Sequence, residues 1–181
     1  MTIMEQRDFD EIYIVGFRLN YSNEIPELYT IIVYEEAEKA VTHDGDLLFV
    51  TDLSKAGLIY SFLDSKLKEK FEIPTQLKTG IDIAKTLYLL ENGKTDDASV
   101  ILDCLNIIFD LFDSIEIVIP EDKRKILFGL ADFLTFEDNF PVYLEQSSVT
   151  RETVINSLIW CFGKIFTRSR ILGANDDNSK N

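Results

Sequence analysis

Six polar residues, Asp96, Ser99, Asp103, Asn106, Asp110 and Asp113, recur at spacings of three, four, three, four and three. The side chains between them are almost all apolar, from Ala98 through Ile101, Leu105 and Ile108 to Phe112. At about 100° per residue the six fall within an arc of about 100°, and apolar side chains fill the rest. An ordinary surface helix has the reverse pattern. The spacing therefore predicts the central helix of a helical core, with one narrow acidic seam exposed. Carboxylates on such a seam have two chemical uses. They can present fixed negative charge to a basic protein partner. Alternatively, Asp110 and Asp113, one turn apart, can share a Mg2+ ion with a second helix, with Asp132, Glu137 or Asp138 as further ligands. Asp96, Asp103 and Asp110 are about 10 Å apart in succession along a helix, too far for one ion to join them.

Other site chemistry lacks its residues. The single histidine, His43, sits in a polar turn, and no G-x-S-x-G is present to build a nucleophile elbow. Cys104 and Cys161 fall in apolar helical surroundings, which suit two buried free thiols. One histidine and two separated cysteines do not make an ordinary structural zinc site. The glycines are scattered, and no phosphate-cradling loop is present. No cofactor is expected. In a chain with 32 acidic residues, paired carboxylates of the glycosidase kind have no distinguishing signal.

The net charge of -14 argues against naked nucleic acid and anionic membrane as partners. The charge is distributed in blocks. Segments 1–52 and 95–145 each carry a net -9, whereas 53–94 and 146–181 each carry +2. A second acidic segment, Glu35, Glu36, Glu38, Asp44 and Asp46, lies in the first of these blocks. The N-terminal ten residues include Glu5, Asp8 and Asp10 and lack an apolar signal core, so a cytoplasmic protein is expected.

The elements that must position these residues are legible in outline. Glu11–Leu19, Leu28–Tyr34 and Leu47–Thr51 read as strands, the second buried on both faces. Glu35–Val41 reads as a short helix with acids in its first turn. His43-Asp44-Gly45-Asp46 is a turn. Asp52 or Ser54 caps a helix running from Lys55 to about Phe71. Further helices are expected over 81–91, ending at Asn92-Gly93, and over the seam itself, capped by Thr95 with Asp96 and Asp97 in its first turn. Others follow from Pro120 to about Leu134 and from Thr150 to about Phe166, the last with Arg168 and Arg170 near its C-terminal end. Ser114–Ile119 is either a short strand or an extended link, and Glu137–Pro141 is loop. The expectation is one α+β domain over 1–172, with a small strand-rich part of about three strands (1–52) packed on a helical part (53–172). A disordered tail is expected over 173–181.

In size, charge blocks and the segment Tyr29–Leu53 (YTIIVYEEAEKAVTHDGDLLFVTDL), the chain resembles bacterial immunity proteins of the contact-dependent growth inhibition type. The resemblance implies a cytosolic single-domain protein that binds a cognate toxin domain, often a basic nuclease, and occludes its active site or substrate groove. It carries no binding residues onto this chain. The leading expectation is therefore a non-enzymatic immunity protein. Its candidate partner-facing acids are Asp96, Asp103, Asp110, Asp113, Glu35, Glu36, Glu38, Asp44 and Asp46. The alternatives are a metal-assisted hydrolase using Asp110 and Asp113, and an adaptor or regulatory subunit of a larger assembly.

Overall fold

A computed structural model describes residues 10–94 and 97–174. Its fold is α+β. Strands β1 (Glu11–Arg18) and β2 (Leu28–Tyr34) form an antiparallel pair rich in β-branched and aromatic residues. Their side chains alternate between two buried faces. Tyr13, Val15, Phe17 and Ile32 enter the larger core, whereas Ile14, Tyr29, Ile31 and Val33 enter the smaller one. Burial on both faces explains why β2 reads as a nearly continuous apolar run.

The segment Glu35–Val41 is not the expected helix. It bends at 35–37 and returns as β3 (Glu38–Ala40), antiparallel to β2. Seven residues are too few to hold a helix without a packed face, and pairing with β2 buries Ala40 while exposing Lys39. Strands β4 (Thr42–His43) and β5 (Asp46–Phe49) follow, joined by a two-residue turn at Asp44 and Gly45. Both turn residues have positive φ, 52° and 78°, as a tight hairpin of this hand requires.

A short 3-10 turn (Leu53–Lys55) leads into α1 (Ala56–Tyr60), then α2 (Ser65–Lys70). The single helix expected over 55–71 is thus broken, because Asp64 accepts a hydrogen bond from the Leu67 amide and starts a new one. Asp52 caps the first turn as expected, accepting from Ser54 N. Strand β6 (Leu77–Asp82) was not anticipated. It lies parallel to β1 and completes a sheet of order β3-β2-β1-β6. Its first four residues are exposed and include Gly80, so no buried alternation marks it in the sequence. Helix α3 (Ile83–Asn92) starts two residues later than expected and ends at Gly93 in the left-handed conformation.

Helix α4 (Ala98–Ser114) is the seam helix. Asp97 occupies its N-cap position rather than its first turn, and Thr95, expected as the cap, lies outside the described residues. The 115–119 segment is a link that reverses at Glu116, whose φ is 56°. Helix α5 (Glu121–Phe136) follows, with Pro120 at its N-cap position. The expected loop at 137–141 leads instead into a short helix α6 (Phe140–Ser147), capped by Asn139 and carrying Pro141 in its first turn. Helix α7 (Arg151–Thr167) begins within a residue of the expected start, with Thr150 as its N-cap. Arg168 and Arg170 do not extend it. The chain turns into β7 (Ser169–Ile171), which pairs parallel to β5 in a second sheet of order β4-β5-β7. Of the expected 173–181 tail, residues 175–181 lie outside the described residues.

Helix α4 packs against β3, β6, α3, α5 and α7. Ile101, Cys104 and Leu105 are fully buried, and Ile108, Leu111 and Phe112 nearly so. The thiols of Cys104 and Cys161 are free and buried, and burial pushes each up to about 12. Leu105→Asp places an unpaired carboxyl in this core, at a cost of several kcal/mol. The expected outcome is loss of the cooperative thermal transition by circular dichroism. A variant that still melts cooperatively contradicts the central position of α4.

Candidate functional site

The polar seam is the solvent-facing strip of α4. Ser99, Asp103, Asn106 and Asp113 are exposed, and Asp110 is half-buried. Asp96 lies outside the described residues. Burial of the apolar side of the helix fixes which way this strip faces.

Asp110 faces the edge strand β3. Its carboxyl lies against Glu38, and Glu38 Oε1 accepts the Tyr13 hydroxyl at 2.7 Å. One turn on, Ser114 Oγ accepts the Ala40 amide at 2.8 Å and donates to the Asp110 carbonyl at 2.6 Å. These bonds tie the end of α4 to β3. They also join the two acidic sequence blocks at one point. Loss of hydration, then the charge and hydrogen bond of Glu38, then the charge of Asp113, push the Asp110 carboxyl up to about 7. Partial burial also raises Asp103, without a like-charged neighbour as a cause.

The other acids of the first block are placed differently. Glu35 accepts from Lys70 Nζ at 2.9 Å, and the same ammonium bridges to Asp10. Asp46 accepts from Arg170 Nε at 2.9 Å and from Arg168 Nε at 3.0 Å, which hold its carboxyl below the usual range. Asp44 lies 3.3 Å from His43 Nε2 and 3.7 Å from Arg170. Glu35, Asp44 and Asp46 therefore close the fold on itself, joining β5 to β7 and the end of β2 to α2. Glu36 is exposed. The two arginines sit two residues apart, a strand-like spacing that puts both beside one carboxylate. That spacing was the available signal for β7.

Helices α4 and α5 form an antiparallel pair, with Phe109 stacked on Phe128 at 4.1 Å between ring centroids. Asp132, Glu137 and Asp138 follow Phe128 along the chain, away from the Asp113 end of α4. Asp110 turns to Glu38, while Asp113 lines a groove at the α4–α5 corner. Among the described residues, no three His, Cys, Asp or Glu side chains come together in a way that could hold a metal ion.

That groove, about 570 Å3, was not anticipated from the sequence. Its walls are Phe109, Phe112, Ile117, Val118, Ile119 and Phe128, with Asp113, Glu116 and Arg124 at its edge. Val118 is 83% exposed. Arg124 sits over the Phe128 ring at 5.0 Å. Among the described residues, no helix is long and apolar enough to cross a membrane.

No family model and no curated protein matches the chain. Its fold is similar to the crystal structure of the SatS C-terminal domain in complex with bromine, with a TM-score of 0.55 and 10% sequence identity. The match covers 88% of this chain and 93% of that one. At that identity the likeness establishes the fold alone.

Burial of Asp110, with the charge of Glu38 beside it, makes stability depend on pH in a definite direction. The folded protein holds the Asp110 proton up to about pH 7, whereas an unfolded aspartate releases it near 3.8. The folded state binds the proton more tightly, so this contribution is complete at low pH. It declines as pH rises from the unfolded value and is lost through about 7. Asp110→Asn keeps a hydrogen-bonding group without the charge. Its melting temperature is expected to exceed that of the parent by about 4 °C at pH 8, after discounting for partial exposure. The gap should shrink toward pH 4. A gap that is absent or reversed at pH 8 contradicts the contact.

Proposed function

We propose that this protein is a cytoplasmic, non-enzymatic binding protein whose partner is a basic protein surface. The observation that supports this reading is the strip of Asp103, Asp110 and Asp113 on a helix whose apolar side chains are buried or partly buried. A carboxylate on a mobile loop has to be ordered on binding, but these are ordered already. Fixed charge of one sign raises the rate of encounter with an oppositely charged partner and sets its orientation. The first-block acids contribute less, because Glu35, Asp44 and Asp46 are already paired with cations of the same chain.

An immunity protein that neutralises a basic toxin domain is the specific form of this proposal. It draws on the sequence resemblance stated above. An adaptor within a larger assembly uses the same surface with a different partner, and gene context separates the two. The hydrolase reading has weaker support, since burial and the like charge of Glu38 push the Asp110 carboxyl up to about 7.

The test is affinity capture from native lysate at low and high salt, with the parent and with Asp103→Lys/Asp113→Lys as baits. Both substituted positions are exposed, so stability should change by less than about 1 kcal/mol. The parent is expected to retain a basic protein at low salt. The variant should lose it by roughly tenfold or more, about 1.4 kcal/mol. Equal retention by both baits, with no dependence on salt, would remove the strip from the account.

A further inference from the structure

The seam ends at Asp113, and Asp113 also lines the groove, of mixed apolar and charged lining, between the end of α4 and the start of α5. The groove has features of an unfilled helix seat. Phe109, Phe112 and Asp113 follow the helical i, i+3, i+4 spacing along α4, and Glu116 joins them from the link. Arg124 and Phe128 face them from α5 at i, i+4. The end of α4, the link and the start of α5 form an open corner against which a further helix can pack. The apolar side chains here are exposed against the usual trend: Val118 by 83% and Phe128 by 42%. Burying such residues is favourable by about 25 cal/mol per Å2 of apolar surface, whereas leaving them in water gains nothing for the fold.

Charge selects the occupant. Asp113 and Glu116 stand on the α4 side, and Asp110 and Asp103 continue the acidic strip away from the groove. Arg124 is the cation at the edge, and its guanidinium lies on the Phe128 ring. The lysines of the first turn of α5 are paired within that helix, Lys123 with Asp122 and Lys125 with Glu121. A second copy of a chain with net charge -14 would bring like charge to this face. Nucleic acid and anionic lipid would do the same.

We infer that the α4–α5 groove seats a basic amphipathic helix of the partner, with apolar side chains against Val118 and Phe128 and lysine or arginine against Asp113 and Glu116. This rests on the basic-partner reading and deepens it. The seam supplies attraction and orientation, while the groove supplies the apolar anchor that makes the complex long-lived.

The sole tryptophan gives a readout. Trp160 stacks on Phe112, a wall of the groove, at 6.0 Å between ring centroids. The probe is a tryptophan-free lysine–leucine peptide of about 18 residues, about five helical turns, with leucines on one face. A peptide of the same composition, scrambled to remove the apolar face, is the control. The expected result is a saturable change in Trp160 emission with the amphipathic peptide. Binding should be about tenfold weaker for the scrambled peptide and for Val118→Ser or Phe128→Ser. Val118 is too exposed for its loss to unfold the protein, so that variant keeps the test valid if Phe128→Ser is unstable.

Equal binding of both peptides, or full binding by Val118→Ser, overturns the inference and leaves the charged strip as the whole site. Asp103→Lys/Asp113→Lys binding the peptide as well as the parent overturns the charge reading instead. A concentration-dependent dimer that Val118→Ser dissociates would show that a second copy fills the groove and would also overturn it.

Discussion

Helix α4 carries apolar side chains around most of its circumference, and the rest of the chain is arranged to take them out of water. The sheet supplies β3 and β6 on one side, and α3, α5 and α7 cover the others. Each large side chain buried this way contributes about 1.5–3 kcal/mol before chain entropy offsets most of it. The remaining strip, too narrow for another element, is where the polar residues must lie. The same constraint that builds the core therefore also builds the candidate surface. A mutation that loosens α4 would degrade both together.

Charge placement follows from the same arrangement. The sequence alternates acidic and basic blocks, and the fold matches them in pairs. Lys70, from the first basic block, bridges to Asp10 and Glu35, and Arg168 and Arg170, from the second, reach Asp46. Asp10, Glu35 and Asp46 of the first block are thus paired with cations of the same chain. The acids of α4 and the link after it remain outward. Where the two acidic blocks do meet, at Glu38 and Asp110, burial and the like charge of Glu38 push the Asp110 carboxyl up. Of the three described seam aspartates, Asp103 and Asp113 are the exposed ones, and Asp110 carries full charge only above neutral pH.

The parts of the fold legible in the sequence are those with a strong period. The three-four spacing from Ser99 to Asp113 marked the exposed face of α4 correctly, and the apolar run Leu28–Tyr34 marked a strand buried on both faces. Gly93 and Thr150 marked the end of one helix and the start of another. The misread elements are short and take their structure from distant partners. Glu38–Ala40 is a strand because β2 lies beside it, although its local composition favours helix. Leu77–Asp82 and Ser169–Ile171 are edge strands whose pairing to β1 and β5 spans tens of residues and leaves no local alternation. The groove was invisible for a related reason. Val118 and Phe128 each look like ordinary core residues, and only the corner between α4 and α5 leaves them uncovered. Which acids face outward depended equally on tertiary pairing, so Asp46 and Asp103 looked equivalent in sequence.

The central claim is that the outward acids of α4 and the corner following it meet basic groups of the partner. Zero-length carboxyl–amine cross-linking of the protein to its captured partner, with the bridged peptides identified by mass spectrometry, tests it most directly. The account predicts bonds from Asp103, Asp113 and Glu116 to partner lysines. Cross-links confined to acids elsewhere, such as Glu24, Glu137 or Glu152, would contradict it.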